Sequence, residues 1–140
     1  MSTSAGRMEE MDAIRDLVGR YFEQFACDPT AAALFYGEPA TLFLPDRLLV
    51  FNDRISLESY LRKSLAALKR HGYSHTDMEG PRTKLLNPAT ALHGVVAVRM
   101  KVDGTVIERL GVTYLLRKEG GRWLIYGGIA TDADKLISPD

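Results

Sequence analysis

Cysteine is almost missing from this 140-residue chain: Cys27 stands alone, so no internal disulfide can form. A single thiol suits a reducing compartment, and a cytoplasmic location is the expectation. Net charge is missing too, since 18 acidic residues balance 18 basic ones. No field therefore draws phosphate-rich partners, and nucleic acid is not expected among them. No stretch approaches the roughly 20 apolar residues that a membrane span needs, and residues 1–7 lack the apolar run of a secretory leader. Internal repeats, charge blocks and low-complexity linkers are absent as well. His71, His75 and His93 fall at no metal-ligand spacing. Neither a phosphate-binding glycine loop nor a Gly-x-Ser-x-Gly elbow occurs. No cofactor or metal is implied.

What the chain does have is apolar content, 46% of its residues, enough for one core. A single domain over residues 8–137 is expected, with loose tails at 1–7 and 138–140. Met11, Ile14, Leu17, Val18, Tyr21, Phe22 and Phe25 follow helical spacing and predict an amphipathic helix over about 8–26. Asp28-Pro29 supplies a cap and a first-turn proline for a short second helix, stopped near Gly37. Thr41–Leu44 and Leu48–Phe51 read as short strands. Ser56 is placed to cap a third helix with Leu57, Tyr60, Leu61, Leu65 and Leu68 on its apolar face, ended by Gly72. Beyond Gly72 the period changes from 3.6 to 2. Strands are predicted at 73–86, interrupted at Gly80-Pro81, then at 91–102, 106–116 and 123–130. Helices first and a meandering sheet afterwards indicate an α+β fold with helices on one face of a curved antiparallel sheet.

Asp103-Gly104 is the strongest local signal, because it suits a two-residue type I′ hairpin turn. Setting Val102 opposite Thr105 pairs Arg99 with Glu108, an opposite-charge pair that supports the register independently. His93, Val95, Ala97, Leu110, Val112 and Tyr114 share their face, which is expected to pack on a second copy of the protein. The other face gathers Gly94, Arg109, Gly111 and Thr113 among apolar groups. Placing Lys118 opposite Trp123 adds Tyr126, Gly128 and Ala130 to it. Strand glycines make room and a guanidinium among apolar groups needs a partner, so this face is expected to line a pocket.

From residue 8 to 130 the element order resembles the nuclear transport factor 2-like superfamily, with its SnoaL-like and ketosteroid-isomerase-like branches. Arg20-Tyr21, Ala40-Thr41-Leu42 and the run Tyr114-Leu115-Leu116-Arg117-Lys118-Glu119-Gly120-Gly121-Arg122-Trp123 carry the resemblance. It implies a cone: a bent sheet wrapped round three helices, with a pocket at the wide end and homodimers common. Tyr21 matches the tyrosine that, in the isomerases, donates to a developing oxyanion. The partner acid falls at Thr113, and the catalytic aspartate before a proline falls at Leu44, before Pro45. Leucine cannot abstract a proton, so the isomerase machinery is broken unless Asp46 substitutes.

The expected function is therefore the binding of a small, mostly apolar molecule, with Tyr21, Arg109, Thr113, Tyr126 and Gly128 as ligand contacts. The alternative is a SnoaL-like cofactor-independent isomerase, cyclase or dehydratase acting on a polyketide- or steroid-like compound. Its catalytic candidates are Tyr21, Asp46, His75 and Asp77, the last two sharing a strand face that is either catalytic or simply solvated. A second alternative is a protein-interaction module working through the exposed sheet face.

Overall fold

The computed structural model describes residues 4–138, and its elements follow the predicted order. Helix α1 spans Ser4–Cys27 and α2 spans Pro29–Ala33. They are followed by the strands β1 (Tyr36–Leu44) and β2 (Arg47–Phe51) and by helix α3 (Arg54–Lys69). Four long strands complete the chain: β3 (Tyr73–Asn87), β4 (Thr90–Lys101), β5 (Val106–Glu119) and β6 (Arg122–Thr131). Together the strands form one sheet in the order β2-β1-β6-β5-β4-β3. Every neighbouring pair is antiparallel except β1 with β6, which run parallel.

Local chemistry explains most boundaries. Asp28 caps α2, its carboxylate accepting from the Ala31 amide, and Pro29 fills the first turn. The cap of α3 is Asp53, three residues before the expected Ser56, and it accepts from the Ser56 amide at 2.8 Å. Gly37 does not stop α2. It lies inside β1, where a Cβ would come within 2.3 Å of the Tyr126 ring, so glycine is needed for that close approach. Residues 4–7, expected as part of a loose tail, already belong to α1; residues 1–3, 139 and 140 lie outside the described residues.

The Asp103-Gly104 reversal differs from the expected turn. Only Gly104 has a positive φ (+88°), so Asp103 cannot occupy the first position of a type I′ turn. Instead Gly104 N donates to Lys101 O and Lys101 N donates to Thr105 O, closing a three-residue loop. Asp103 braces it by accepting from the Thr105 amide and hydroxyl. An extra residue in β5, between the pairs Arg99–Glu108 and Met100–Val106, then restores the predicted register.

Register and orientation are separate questions, and orientation is where expectation fails. Tyr114 meets Tyr21 and Phe22 of α1, while Lys118 and Trp123 meet Glu10 of the same helix. The face of Ala97, Arg99, Leu110 and Val112 is thus the inner face, packed on the helices rather than on a second copy. α1 buries Ile14, Val18, Tyr21 and Phe25 against it, and α3 adds Leu57, Leu61 and Leu65. Each such side chain contributes about 1.5–3 kcal/mol by leaving water.

The face of Gly94, Arg109, Gly111 and Thr113 is the outer one. Residues 132–138 cross it, and its glycines admit that segment. A Cβ on Gly111 would stand 2.6 Å from Asp132 O, and one on Gly94 would stand 3.1 Å from Ile137. Arg82 Nη1 secures the segment by donating to Ile137 O at 3.1 Å.

Candidate functional site

Between α1, α3 and the inner face lies a cavity of about 130 Å³. Tyr21, in the last third of α1, brings a buried hydroxyl to its lining. Tyr36, the first residue of β1, donates to the Tyr21 hydroxyl at 2.8 Å, and the two rings meet edge to face. Arg54 at the start of α3 holds that end of β1, its Nη2 donating to Tyr36 O at 3.1 Å. Tyr114 closes the group, its ring centroid 6.2 Å from that of Tyr21. Burial pushes the Tyr21 phenol up to about 12 and the Tyr36 and Tyr114 phenols well above their ordinary value of 10. All three therefore stay protonated at neutral pH, as donors and not as bases.

The remaining wall is apolar and comes from Phe22, Phe25, Leu42, Leu44, Leu110 and Val112. Toward solvent it turns polar again: the Thr76 hydroxyl bonds with the Tyr73 hydroxyl at 2.7 Å, and Arg99 pairs with Glu108. The lining contains no carboxylate and no imidazole among the described residues. No cluster of His, Cys, Asp and Glu there could hold a metal ion. Such a site can desolvate a small molecule and offer it hydroxyl donors. It has nothing to take a carbon-bound proton.

Residues 9–133 match the family described as NTF2-like protein (DUF6841). The chain belongs to this NTF2-like family. Solved structures share its fold. An NTF2-like protein with a cystatin-like fold from Novosphingobium aromaticivorans has 16% identity and a TM-score of 0.75, with 91% of this chain and 84% of that chain covered. A protein of unknown function from Mycobacterium tuberculosis has 16% identity and a TM-score of 0.73, with 93% and 75% covered. An NTF2-like protein of unknown function from Pseudomonas putida has 13% identity and a TM-score of 0.70, with 89% and 87% covered. Likeness at such identities is likeness of fold. No curated protein matches the sequence. Among the described residues no helix is long and apolar enough to cross a membrane.

Within the NTF2-like cone the predicted site residues separate into two groups. Tyr21 and Gly128 line the cavity. Gly128 arrives there because the ladder shifts between Leu115–Gly127 and Leu116–Ile125, which moves Gly128 and Ala130 to the inner face. Arg109 does not line it: the side chain is on the outer face, 53% exposed and paired with Glu79 at 3.0 Å. Thr113 is buried, but on that same outer face, opposite Gly94. Tyr126 covers Gly37 instead of the cavity. His75 and Asp77 pair with each other at 3.3 Å on the outer side of β3, both at least half exposed. Asp46 is exposed in the β1–β2 turn, while Leu44, the match to the isomerase base, does point into the cavity.

Tyr36, Thr76, Arg99 and Tyr114 are site residues that the sequence does not single out, although two of them, Arg99 and Tyr114, lie on strands whose register it assigns. Trp123 carried the needed signal. It shares the face of Lys118, hence of Tyr114 and Val112, and the only tryptophan of a small domain belongs in the core.

Proposed function

We propose that this NTF2-like protein binds a small, mostly apolar molecule in the Tyr21 cavity without transforming it. One observation carries the reading. Tyr36 spends its proton on the Tyr21 hydroxyl, which leaves the Tyr21 proton for an acceptor at the inner, mostly apolar end of the chamber. An engineered apolar cavity of about 150 Å³ accommodates benzene, so about 130 Å³ suits a single ring bearing a carbonyl or hydroxyl. A steroid- or polyketide-sized compound exceeds it. The SnoaL-like isomerase, cyclase or dehydratase alternative also lacks a base, since Asp46, His75 and Asp77 stand outside the lining.

Cyclohexanone tests both readings. Titration followed by NMR should shift resonances of Tyr21, Ala97, Tyr114 and Gly128, and Tyr21→Phe should weaken binding about tenfold, the worth of one buried hydrogen bond. In deuterated water the ring's α-protons should exchange no faster with protein than without. Shifts confined to other residues would refute the binding site, and accelerated exchange would refute the absence of chemistry.

The protein-interaction alternative keeps one specific support. Phe43, Leu48, Val50, Leu115 and Ile129 are all exposed and lie on adjacent strands of the outer face. Large contiguous apolar patches mark interfaces, and a homodimer through this patch is the second part of our reading. The exposed, unpaired Cys27 supports a cytoplasmic location.

A further inference from the structure

A second hollow shares no lining residue with the Tyr21 cavity. It is a groove of about 590 Å³ bounded by α1, α2 and the β5–β6 turn. Leu17, Phe35 and Trp123 give it an apolar floor. Glu10 is fully engaged there: its two oxygens accept from Lys118 Nζ at 3.0 Å, and one also accepts from Trp123 Nε1 at 3.1 Å. That carboxylate neutralises Lys118 and anchors the indole.

Two further cations line the groove. The Arg20 guanidinium sits over the Phe35 ring, 5.9 Å from its centroid, which holds the head group at the apolar floor. Arg122 donates through Nη2 to Leu34 O at 3.4 Å. Neither arginine pairs with a carboxylate among the described residues, whereas Arg54, Arg62, Arg99, Arg109 and Arg117 all do. In a chain of zero net charge, this groove therefore holds a local excess of two guanidinium groups over an aromatic floor.

We infer that the groove is a second binding site, and that it takes an amphipathic organic anion: a flat apolar body carrying one carboxylate or sulfonate. Its volume lies within the roughly 300–1,000 Å³ usual for small-molecule sites, which the Tyr21 cavity does not reach. The apolar body would lie on Phe35 and Trp123, and the guanidinium forks of Arg20 and Arg122 would meet the anion with charge-assisted hydrogen bonds. The two guanidiniums come from segments far apart in sequence, and only the fold brings them together.

Trp123 is the only tryptophan and lines the groove, so its emission responds to a probe seated there, and the groove variants locate that response. The probe is 1-anilinonaphthalene-8-sulfonate, titrated into the wild type and into Arg20→Gln, Arg122→Gln and Ala13→Phe variants whose helicity and Tm are checked first. Saturable quenching of Trp123 is expected, weakened about tenfold by each glutamine, as for loss of a hydrogen bond to a charged group. Ala13→Phe, which fills the groove from α1, should abolish it, and Tyr21→Phe should leave it unchanged. The uncharged N-phenyl-1-naphthylamine should not discriminate between wild type and the glutamine variants. Probe binding without a Trp123 response would overturn the assignment, as would equal affinity in the wild type and both glutamine variants.

Discussion

Acid should destabilise this protein through one histidine. His93 on β4 is fully buried on the inner face, with Nδ1 bonded to Thr83 Oγ1 at 2.7 Å. Its Nε2 is buried with no hydrogen-bond partner. A doubly protonated ring would donate from Nδ1 to Thr83 and carry a second, buried N–H at Nε2 without an acceptor. Burial, helped by the charge of Arg15, pulls the His93 pKa down to about 4 from 6.5. The sign follows from linkage: the unfolded chain takes up this proton below pH 6.5 and the folded chain refuses it until about pH 4. Stability contributed by neutral His93 is complete above pH 6.5 and drains away as pH falls through that window. At 1.36 kcal/mol per pH unit the loss between pH 7 and pH 4.5 is about 2.5 kcal/mol. Carboxylates titrate in the same range, so the informative quantity is a difference. Urea unfolding of the wild type and of His93→Gln, whose amide can still pair with Thr83, should be measured at both pH values. The variant should lose about 2.5 kcal/mol less than the wild type on acidification. Parallel losses would refute the argument that burial keeps this ring neutral.

Other expectations follow from the same geometry. Gly111→Ala should cost about 1–3 kcal/mol in denaturant unfolding, because its methyl would meet Asp132 O at 2.6 Å; unchanged stability would mean that residues 132–138 are not seated there. Arg109→Gln should leave cyclohexanone affinity unaltered and cost under about 1 kcal/mol of stability, since its ion pair is exposed. Arg99→Leu, on the inner face, should change that affinity, and the opposite ranking would restore the orientation first expected. Phe43→Glu should convert a dimer to a monomer by sedimentation velocity; a variant that sediments as the wild type does would remove the outer patch as the interface.

Much of the architecture is local and could be read without a structure. Helical spacing from Ile14 to Phe25, the Asp28 cap and the Gly72 stop depend on neighbours a few residues away. The Arg99–Glu108 pairing was legible too, because opposite charges and a hairpin signal agree on it. Even so, the turn that delivers it is one residue longer than expected, and a bulge at Ile107 compensates. Alternation could not say which face of the sheet meets the helices. Both faces of β4 and β5 are apolar, and the chain buries both, one under α1 and α3, the other partly under residues 132–138. The glycines that suggested an empty pocket are the seats of that covering segment, and a ladder shift in β6 changed the face of Gly128 where strict alternation forbade it.

What the chain determined by itself is its set of helices and strands and the pairing of its two last hairpins, because capping, periodicity and cross-strand charge act over short range. The parallel pairing of β1 with β6, by contrast, joins distant segments. What tertiary structure alone decided is the inside of the cone. Tyr36 reaches Tyr21, and Arg20 is brought to the same groove as Arg122, only after helices and sheet close on a common core, a choice made by the summed burial of Trp123, Tyr114 and the helix leucines rather than by any neighbouring pair.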